Sequence, residues 1–292
     1  MITKLITFFG CLPLIIFAMD INGAVDIRLK MKDFQDVGFM LHGVELNIKS
    51  TYADQTNDRL IFALQIPYSP HWKSDMFFYH YGDAYAIVKG SLGKPNVKIG
   101  RFDIPFGLIK NFDSHTALLP LLFEKSLEIK KDIGADIFGY YKMLTYDISF
   151  TQGFNRWETP RNDRPITARI GFDNDEIKYG ISYYNSTHAM NGKMRMVGVD
   201  IEKNINPLIL RAEAMIGDYL SGKGLNVMID FPVFFGIEGR GSGLLWKDNF
   251  TYQSYGLELR KEISFLSIAA GFIHSREIEN INNVVLQTIV RL

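Results

Sequence analysis

The sequence has almost no cysteine. Of 292 residues only Cys11 is a cysteine, and it lies inside an apolar stretch near the start of the chain. The residues after it can form no disulfide, no thiolate metal site and no cysteine nucleophile. Apolar residues continue past Cys11, whereas a lipid-modified cysteine stands at the end of such a run. We therefore do not expect lipid attachment there.

A net charge of either sign is also absent, since 32 lysines and arginines balance 32 aspartates and glutamates. Nothing in this balance favours nucleic acid or an acidic partner. After the first two dozen residues, no apolar run approaches the roughly 20 residues that a membrane helix needs. The composition therefore argues against a nucleic-acid-binding protein and against a helical membrane protein.

The start of the chain has the pattern of a secretory signal peptide. Lys4 supplies a positive charge, Leu5 to Ala18 are mostly apolar, and small residues follow up to Ala24. The apolar run is too short to span a membrane comfortably. We predict a signal peptide over residues 1–24, cleaved after Ala24 with Ala18 as the alternative, and one domain over residues 25–292.

The rest of the sequence has apolar–polar alternation with a period of two, which is typical of strands with one apolar face. About sixteen such segments follow one another, at 25–32, 37–49, 60–66, 83–90, 95–102, 133–141, 143–151, 165–173, 176–185, 193–203, 208–217, 224–231, 234–242, 252–262, 264–274 and 283–292. A break near Gly43 predicts a bulge.

The linkers between these segments alternate between short and long, as in outer-membrane barrels with tight turns at one end and long loops at the other. The linker at 50–58 is long for a turn, and the one at 33–36 is short for a loop. We predict an all-β fold, a transmembrane antiparallel β-barrel of about 16 strands, with 14 strands as the alternative.

The longest linker, 103–132, follows the fifth strand. Loops of this length are uncommon and are more often functional than not. In a barrel we expect this one to fold inward.

Arg101, just before the loop, points to lipid by its parity with Val97 and Ile99. Either Gly100 hosts a bulge that turns Arg101 inward, or Arg101 lies at the rim or at a subunit contact.

If the apolar rows face lipid, the opposite rows line the lumen. The candidate pore-lining and constriction residues are Lys98, Arg101, Lys110, Asp113, Arg169, Arg211, Glu213, Arg240, Glu258 and Arg260. A lumen of sixteen strands is too wide for side chains to fill, which predicts a water-filled channel. Because both signs of charge are present in similar number, we expect weak ion selectivity.

The histidines have no metal-ligand spacing, and we expect no cofactor and no metal.

Several motifs in order carry a family resemblance. They are Gly100-Arg101-Phe102-Asp103-Ile104-Pro105-Phe106-Gly107, Lys131-Asp132-Ile133-Gly134-Ala135 and Tyr146-Asp147-Ile148-Ser149-Phe150-Thr151-Gln152-Gly153-Phe154-Asn155. With these motifs the chain resembles the phosphate-selective porin O/P family of Gram-negative outer-membrane porins. The resemblance implies a sixteen-stranded barrel, often trimeric, whose pore is narrowed by the loop after the fifth strand.

Two departures limit what the resemblance implies. The loop mixes acids with lysines instead of presenting basic residues alone, so phosphate selectivity is not expected. The chain ends on Leu292, where the family has an aromatic residue.

These patterns together predict a porin of the bacterial outer membrane that lets small hydrophilic solutes and ions diffuse passively. The expected partners are membrane lipid and solutes, with a possible homotrimer and no nucleic acid. Two alternatives stay open. One is a non-conducting scaffold barrel that docks a partner protein, such as an electron conduit. The other is a barrel hydrolase using Asp113, Ser114 and His115, although adjacency alone does not make a catalytic triad. We predict no enzymatic activity.

Overall fold

The computed structural model describes residues 4–7, 16–33, 36–54, 57–68, 82–90, 94–108, 118–122, 130–153, 164–189, 192–218, 222–248, 251–277 and 280–291. Most of these residues lie in strands. Within these ranges no helix is both long and apolar enough to cross a membrane.

The strands are, in chain order, β1 (Lys4–Thr7), β2 (Ile16–Lys32), β3 (Asp36–Asp54), β4 (Asn57–Tyr68), β5 (Ala84–Val88), β6 (Asn96–Asp103), β7 (Lys131–Tyr141), β8 (Leu144–Thr151), β9 (Ile166–Asp173), β10 (Ile177–Ala189), β11 (Gly192–Ile205), β12 (Leu208–Gly217), β13 (Lys223–Pro232), β14 (Ile237–Lys247), β15 (Thr251–Ile263), β16 (Leu266–Arg276) and β17 (Asn280–Arg291).

Strands β2 to β17 form one closed antiparallel ring of sixteen strands. Each pairs with its neighbours in sequence, and β17 closes the ring on β2, from Arg291 opposite Ala24 to Asn283 opposite Lys32. β1 is not part of this ring and pairs with Ile16–Met19 at the start of β2. Closure leaves no open sheet edge around the ring. The predicted barrel of about 16 strands is confirmed, and the 14-strand alternative is not adopted.

The predicted alternation sorts side chains between the two faces of the barrel wall. On β13, Leu225 and Val227 face outward and are 45% and 47% exposed, whereas Asn226 and Met228 face inward and are each 1% exposed. Similar outward rows of large apolar side chains recur on most strands of the ring. The outside of the barrel is therefore apolar, and the polar rows lie inside.

Two local predictions can be compared with the pairing. Asp26 pairs with Gly43 but Ile27 pairs with Leu41, so His42 is an extra residue and the predicted bulge near Gly43 is confirmed. The linker at 50–58 is mostly strand, because β3 continues to Asp54 and β4 begins at Asn57. The apparent exception to the short-turn rule therefore disappears.

Several strand boundaries differ from the predicted ones: β2 begins at Ile16 instead of 25 and β3 ends at Asp54 instead of 49, and for one boundary the cause is a local turn. The segment expected at 234–242 starts at Ile237, because Phe234–Gly236 form a 3₁₀ turn. The amide of Val233 donates to the carbonyl of Ile237 at 2.7 Å and closes this turn. Phe235 adopts a positive φ of 60° there, so the chain reverses instead of continuing as strand.

Candidate functional site

The loop after β6 enters the barrel in both of its described parts, residues 104–108 and 118–122. The amide of Leu108 donates to Glu213 Oε1 at 3.0 Å, and the amide of Leu118 donates to Glu258 Oε2 at 3.3 Å. Both glutamates are on inward rows, of β12 and β15, which lie across the ring from β6. The predicted inward folding of the loop is therefore seen in the part of the loop that the structure describes.

Apolar side chains fix the loop to the inner wall. One cluster joins the loop to β10–β14 and contains Ile104, Phe106, Leu108, Leu121, Leu122, Tyr184, Met194, Met196, Met215, Met228, Leu244 and Trp246. A second joins it to β16 and β17 and contains Leu118, Leu119, Ala269, Ile273 and Val285. Burying a side chain of this size stabilises by roughly 1.5–3 kcal/mol. The loop is therefore held mainly by hydrophobic burial.

Inward-facing glycines make room for the loop side chains, and we call them the docking glycines. They are Gly198 beside Phe106, Gly224 beside Leu122, Gly256 beside Leu119 and Gly271 beside Leu118. A Cβ added at these positions would lie 3.0, 2.5, 2.6 and 3.2 Å from the respective loop side chain. The wall is therefore shaped to receive this loop.

At Gly107 the loop backbone lies against Glu213, a charged residue of the wall. The φ of Gly107 is +53°, which L side chains rarely adopt, and a Cβ there would collide with the Glu213 carboxylate. Its amide donates to Ser182 Oγ of β10 at 2.9 Å. Glycine is therefore required for this contact by both conformation and space.

The two ends of the loop are joined at its base. Lys131 Nζ lies 2.6 Å from Asp83 Oδ1 and 3.3 Å from Asp103 Oδ1, and the Ile104 amide donates to the Lys130 carbonyl at 2.9 Å. The exit from β6 and the entry to β7 are therefore fixed to one another and to the residue that precedes β5.

Arg101 also lies at the base of the loop. Gly100 has a φ of +129°, but the strand pairing passes through it without a register shift, so the bulge alternative is wrong. Arg101 is 4% exposed and interacts electrostatically with Asp132, Asp83 and Asp103. Its position near the end of β6 agrees with the rim alternative.

Lys98 faces inward on β6, and aromatic rings surround its ammonium group. Nζ lies 5.5, 5.1 and 4.9 Å from the ring centroids of Tyr85, Phe102 and Phe138, and 3.3 Å from Asp136 Oδ2. Attraction to ring faces and to a buried carboxylate holds the lysine against the wall. A residue predicted to line the pore is therefore largely enclosed.

Asp230 on β13 joins two of the predicted arginines. Arg240 Nε donates to Asp230 Oδ1 at 2.6 Å, and Arg211 Nη1 donates to Asp230 Oδ2. Arg211 also donates to Glu202 Oε2 through Nε at 2.6 Å. The structure therefore brings Arg211 and Arg240 together on one shared carboxylate.

Arg169 reaches across a strand to its partner. It lies on β9 and donates to Asp200 of β11 through Nη2 at 2.6 Å and Nε at 3.1 Å. Gly180 of β10 lies beneath the guanidinium, where a side chain would collide with it. This ion pair therefore covers three neighbouring strands of the wall.

A polar network crosses the seam where the barrel closes. Arg260 donates to Glu258 Oε1 at 2.7 Å and to Gln287 Oε1 at 3.1 Å. Gln287 Nε2 donates to Asp26 Oδ2 at 2.9 Å, and Arg28 donates to the same carboxylate at 2.8 Å. Residues from β15, β17 and β2 are thus linked in one chain of hydrogen bonds.

Two lysines that the sequence analysis did not select face the lumen on β2. Lys30 is opposite Val285 and Lys32 is opposite Asn283, and both partners belong to the inward row of β17. Both lysines are exposed, and no described carboxylate forms an ion pair with either of them. Both lysines have the same parity along β2 as Arg28, and this parity is the sequence signal that could have identified them. Lys110 and Asp113, which were selected, lie outside the described residues.

Solved structures with the same fold exist, although no family model and no curated protein matches the chain. The anion-selective porin from Comamonas acidovorans has a TM-score of 0.75 at 10% identity, covering 94% of this chain and 100% of that one. The trimer form of OmpT, an outer-membrane protein of Vibrio cholerae, has 0.71 at 9%, covering 94% and 99%. The outer-membrane channel DcaP of Acinetobacter baumannii has 0.69 at 9%, covering 94% and 97%.

At such low identity this likeness establishes the fold alone, which is a porin-type barrel. Membership of the phosphate-selective porin O/P family is not confirmed.

Proposed function

We propose that this chain is a porin of the bacterial outer membrane, with a water-filled channel for passive diffusion of small hydrophilic solutes and ions. The observation that carries the proposal is the loop held at Glu213 and Glu258, inside a ring of sixteen strands. Such a ring is too wide for side chains alone to fill. The loop at 103–132 would therefore narrow the lumen without being its only content.

Weak ion selectivity is proposed because most wall charges are neutralised locally. Arg169, Arg240 and Arg260 each lie within 2.7 Å of a carboxylate oxygen. Lys30 and Lys32, with which no described carboxylate forms an ion pair, add a positive field at the long-loop end of β2. We therefore propose a small preference for anions, the same direction as in the Comamonas acidovorans porin, which is described as anion-selective.

Replacing Lys30 and Lys32 together with glutamine should shift the reversal potential toward cations, because two positive charges that no described carboxylate pairs with leave the lumen. The measurement is the reversal potential of single channels in asymmetric salt. Lys142→Gln is the matched control, since this lysine is exposed in the β7–β8 turn, outside the lumen. An unchanged reversal potential in the double variant would contradict a positive field from Lys30 and Lys32.

The main test of the proposal is conductance of the folded protein in a planar bilayer. Open steps with a small reversal potential are expected. A strongly selective channel would overturn the weak selectivity, and a folded barrel without conductance would overturn the porin function.

A homotrimer is the proposed assembly, and lipid the proposed surroundings of the apolar outer face. The support for a trimer is the Vibrio cholerae OmpT structure described as a trimer form. Analytical ultracentrifugation in density-matched detergent would distinguish a trimer from a monomer.

A non-conducting scaffold barrel is the second candidate. It is favoured by the apolar packing of the loop, in which Ile104, Phe106 and Leu122 are fully buried inside the barrel. The bilayer measurement separates the two candidates. The hydrolase alternative involves Asp113, Ser114 and His115, which lie outside the described residues, and no enzymatic activity is proposed.

A further inference from the structure

The barrel wall uses a stretch that cleavage after Ala24 would remove. Residues Phe17–Ala24 of β2 pair one by one with Tyr52–Glu45 of β3. β4 already pairs with the other side of this part of β3. Cleavage after Ala24 would leave the backbone groups of Glu45–Tyr52 with a partner on one side only, because all eight pairs with Phe17–Ala24 would be lost.

The alternation of the wall begins upstream of Val25. Ile21 faces outward and is 46% exposed, and Asn22 faces inward, where its Oδ1 accepts a hydrogen bond from Asn47 Nδ2 at 3.1 Å. Asp20 is directly opposite Lys49, a favourable cross-strand pair of opposite charges. The run from Leu5 to Ala18 has no such alternation. The wall pattern therefore starts between Ala18 and Asp20.

The stagger of the strands indicates the same boundary. Phe17 is opposite Tyr52, Tyr52 opposite Leu60, and Leu60 opposite Val88, which precedes the β5–β6 turn. Phe17 is therefore level with the ends of the neighbouring hairpins. A chain that started at Val25 would begin eight residues later than Phe17. At about 3.3 Å per residue, this leaves roughly 26 Å of β3 without its β2 partner.

We propose that the signal peptide is cleaved between Ala18 and Met19, so that Met19–Ala24 stay in the wall of the mature barrel. The step is hydrolysis of the Ala18–Met19 peptide bond, in which water leaves a carboxylate on Ala18 and an amino group on Met19. Six of the eight pairs then persist, from Met19 opposite Ser50 to Ala24 opposite Glu45. Ala18 is the small residue that signal cleavage needs before the bond.

The direct test is the N-terminal sequence and intact mass of the protein extracted from outer membranes of a secreting Gram-negative host. The expected chain starts at Met19. A chain that starts at Val25, or one that keeps residues 1–18, would overturn the proposal.

Two variants make the test specific. Ala18→Leu should accumulate as uncleaved precursor, whereas the matched control Ala24→Leu should be cleaved at the same bond as the natural chain. The reverse result would overturn the proposal.

A second measurement does not depend on the protease. The two candidate mature chains, starting at Met19 and at Val25, are refolded in detergent, and amide hydrogen exchange is measured across Glu45–Ser50. Faster exchange and an earlier urea midpoint are expected for the chain that starts at Val25. Equal exchange and equal midpoints would overturn the wall role of Met19–Ala24. Neither readout uses conductance, so failure here is distinct from failure of the porin proposal.

Discussion

Gly107→Ala should weaken the docking of residues 104–108 on the wall and raise the single-channel conductance. The new methyl group would collide with the Glu213 carboxylate, and the residue would have to keep a φ of +53°. An L side chain in the left-handed region costs roughly 1–2 kcal/mol. Leaving the buried Glu213 carboxylate without the Leu108 amide costs about 1–3 kcal/mol more. A total of roughly 2–5 kcal/mol against docking is a factor of about 30 or more in the docked population.

The matched control is Gly236→Ala. Gly236 also has a positive φ, of +69°, but nothing lies within 4 Å of a Cβ placed there, and it belongs to a short turn. This variant has the same backbone strain and should keep the natural conductance. If Gly107→Ala folds, shown by a heat-dependent shift on gel electrophoresis, and conducts like the natural protein, then the docked loop does not limit the channel.

Asp230→Asn should strengthen the preference of the channel for anions. Asp230 is shared by Arg211 and Arg240, and Arg211 keeps its pair with Glu202, so neutralising the carboxylate adds one net positive charge to this cluster. Unit charges 4 Å apart interact by about 1 kcal/mol in water, and more where water is restricted. A change of about 1 kcal/mol corresponds to roughly a fivefold change in the permeability ratio. The measurement is the reversal potential in asymmetric salt.

Glu262→Gln is the control for Asp230→Asn. Glu262 pairs with Arg291 near the short-turn end of β15, and both side chains are exposed to solvent. The same loss of one negative charge should have a much smaller effect there, because surface pairs are screened. Equal shifts in the two variants would mean that the reversal potential reports total charge and not the field at Asp230.

The period of two was enough to predict the strands and the faces of their side chains. On β12, parity alone placed Arg211 and Glu213 inside, where the structure has them. The outcome is reliable because a one-residue slip in a closed wall would move every apolar side chain to the wrong face. Strand ends were less predictable, as at Phe234–Gly236, because a turn depends on backbone conformation that the alternation does not encode.

The candidate site was predictable only in part. The length of the loop indicated that it folds inward, but the match of Phe106 to Gly198 joins residues far apart in sequence, and nothing local encodes it. Met196 and Met228 lie on the inward rows, but they pack against the loop in the apolar cluster. The alternation alone does not indicate this packing.

Lys98 and Arg101 show a further limit of parity. Parity gives the face of a side chain and not its surroundings, so it could not foresee the three rings around Lys98. Parity placed Arg101 toward lipid, yet Arg101 is buried near the end of β6 and interacts electrostatically with Asp132.

Gln287 has a consequence for how the barrel assembles. Its amide accepts from Arg260 with one atom and donates to Asp26 with the other, so it satisfies opposite charges on β15 and β2. Neither a carboxylate nor an ammonium group could serve both partners. Asp26, on the first strand of the ring, obtains this buried hydrogen-bond donor only when β17, the last strand, is in place. The Gln287 amide therefore links the stability of β2 to the presence of β17. A chain truncated before β17 would leave Asp26 without that donor, and the unfinished barrel would be less stable than the finished one.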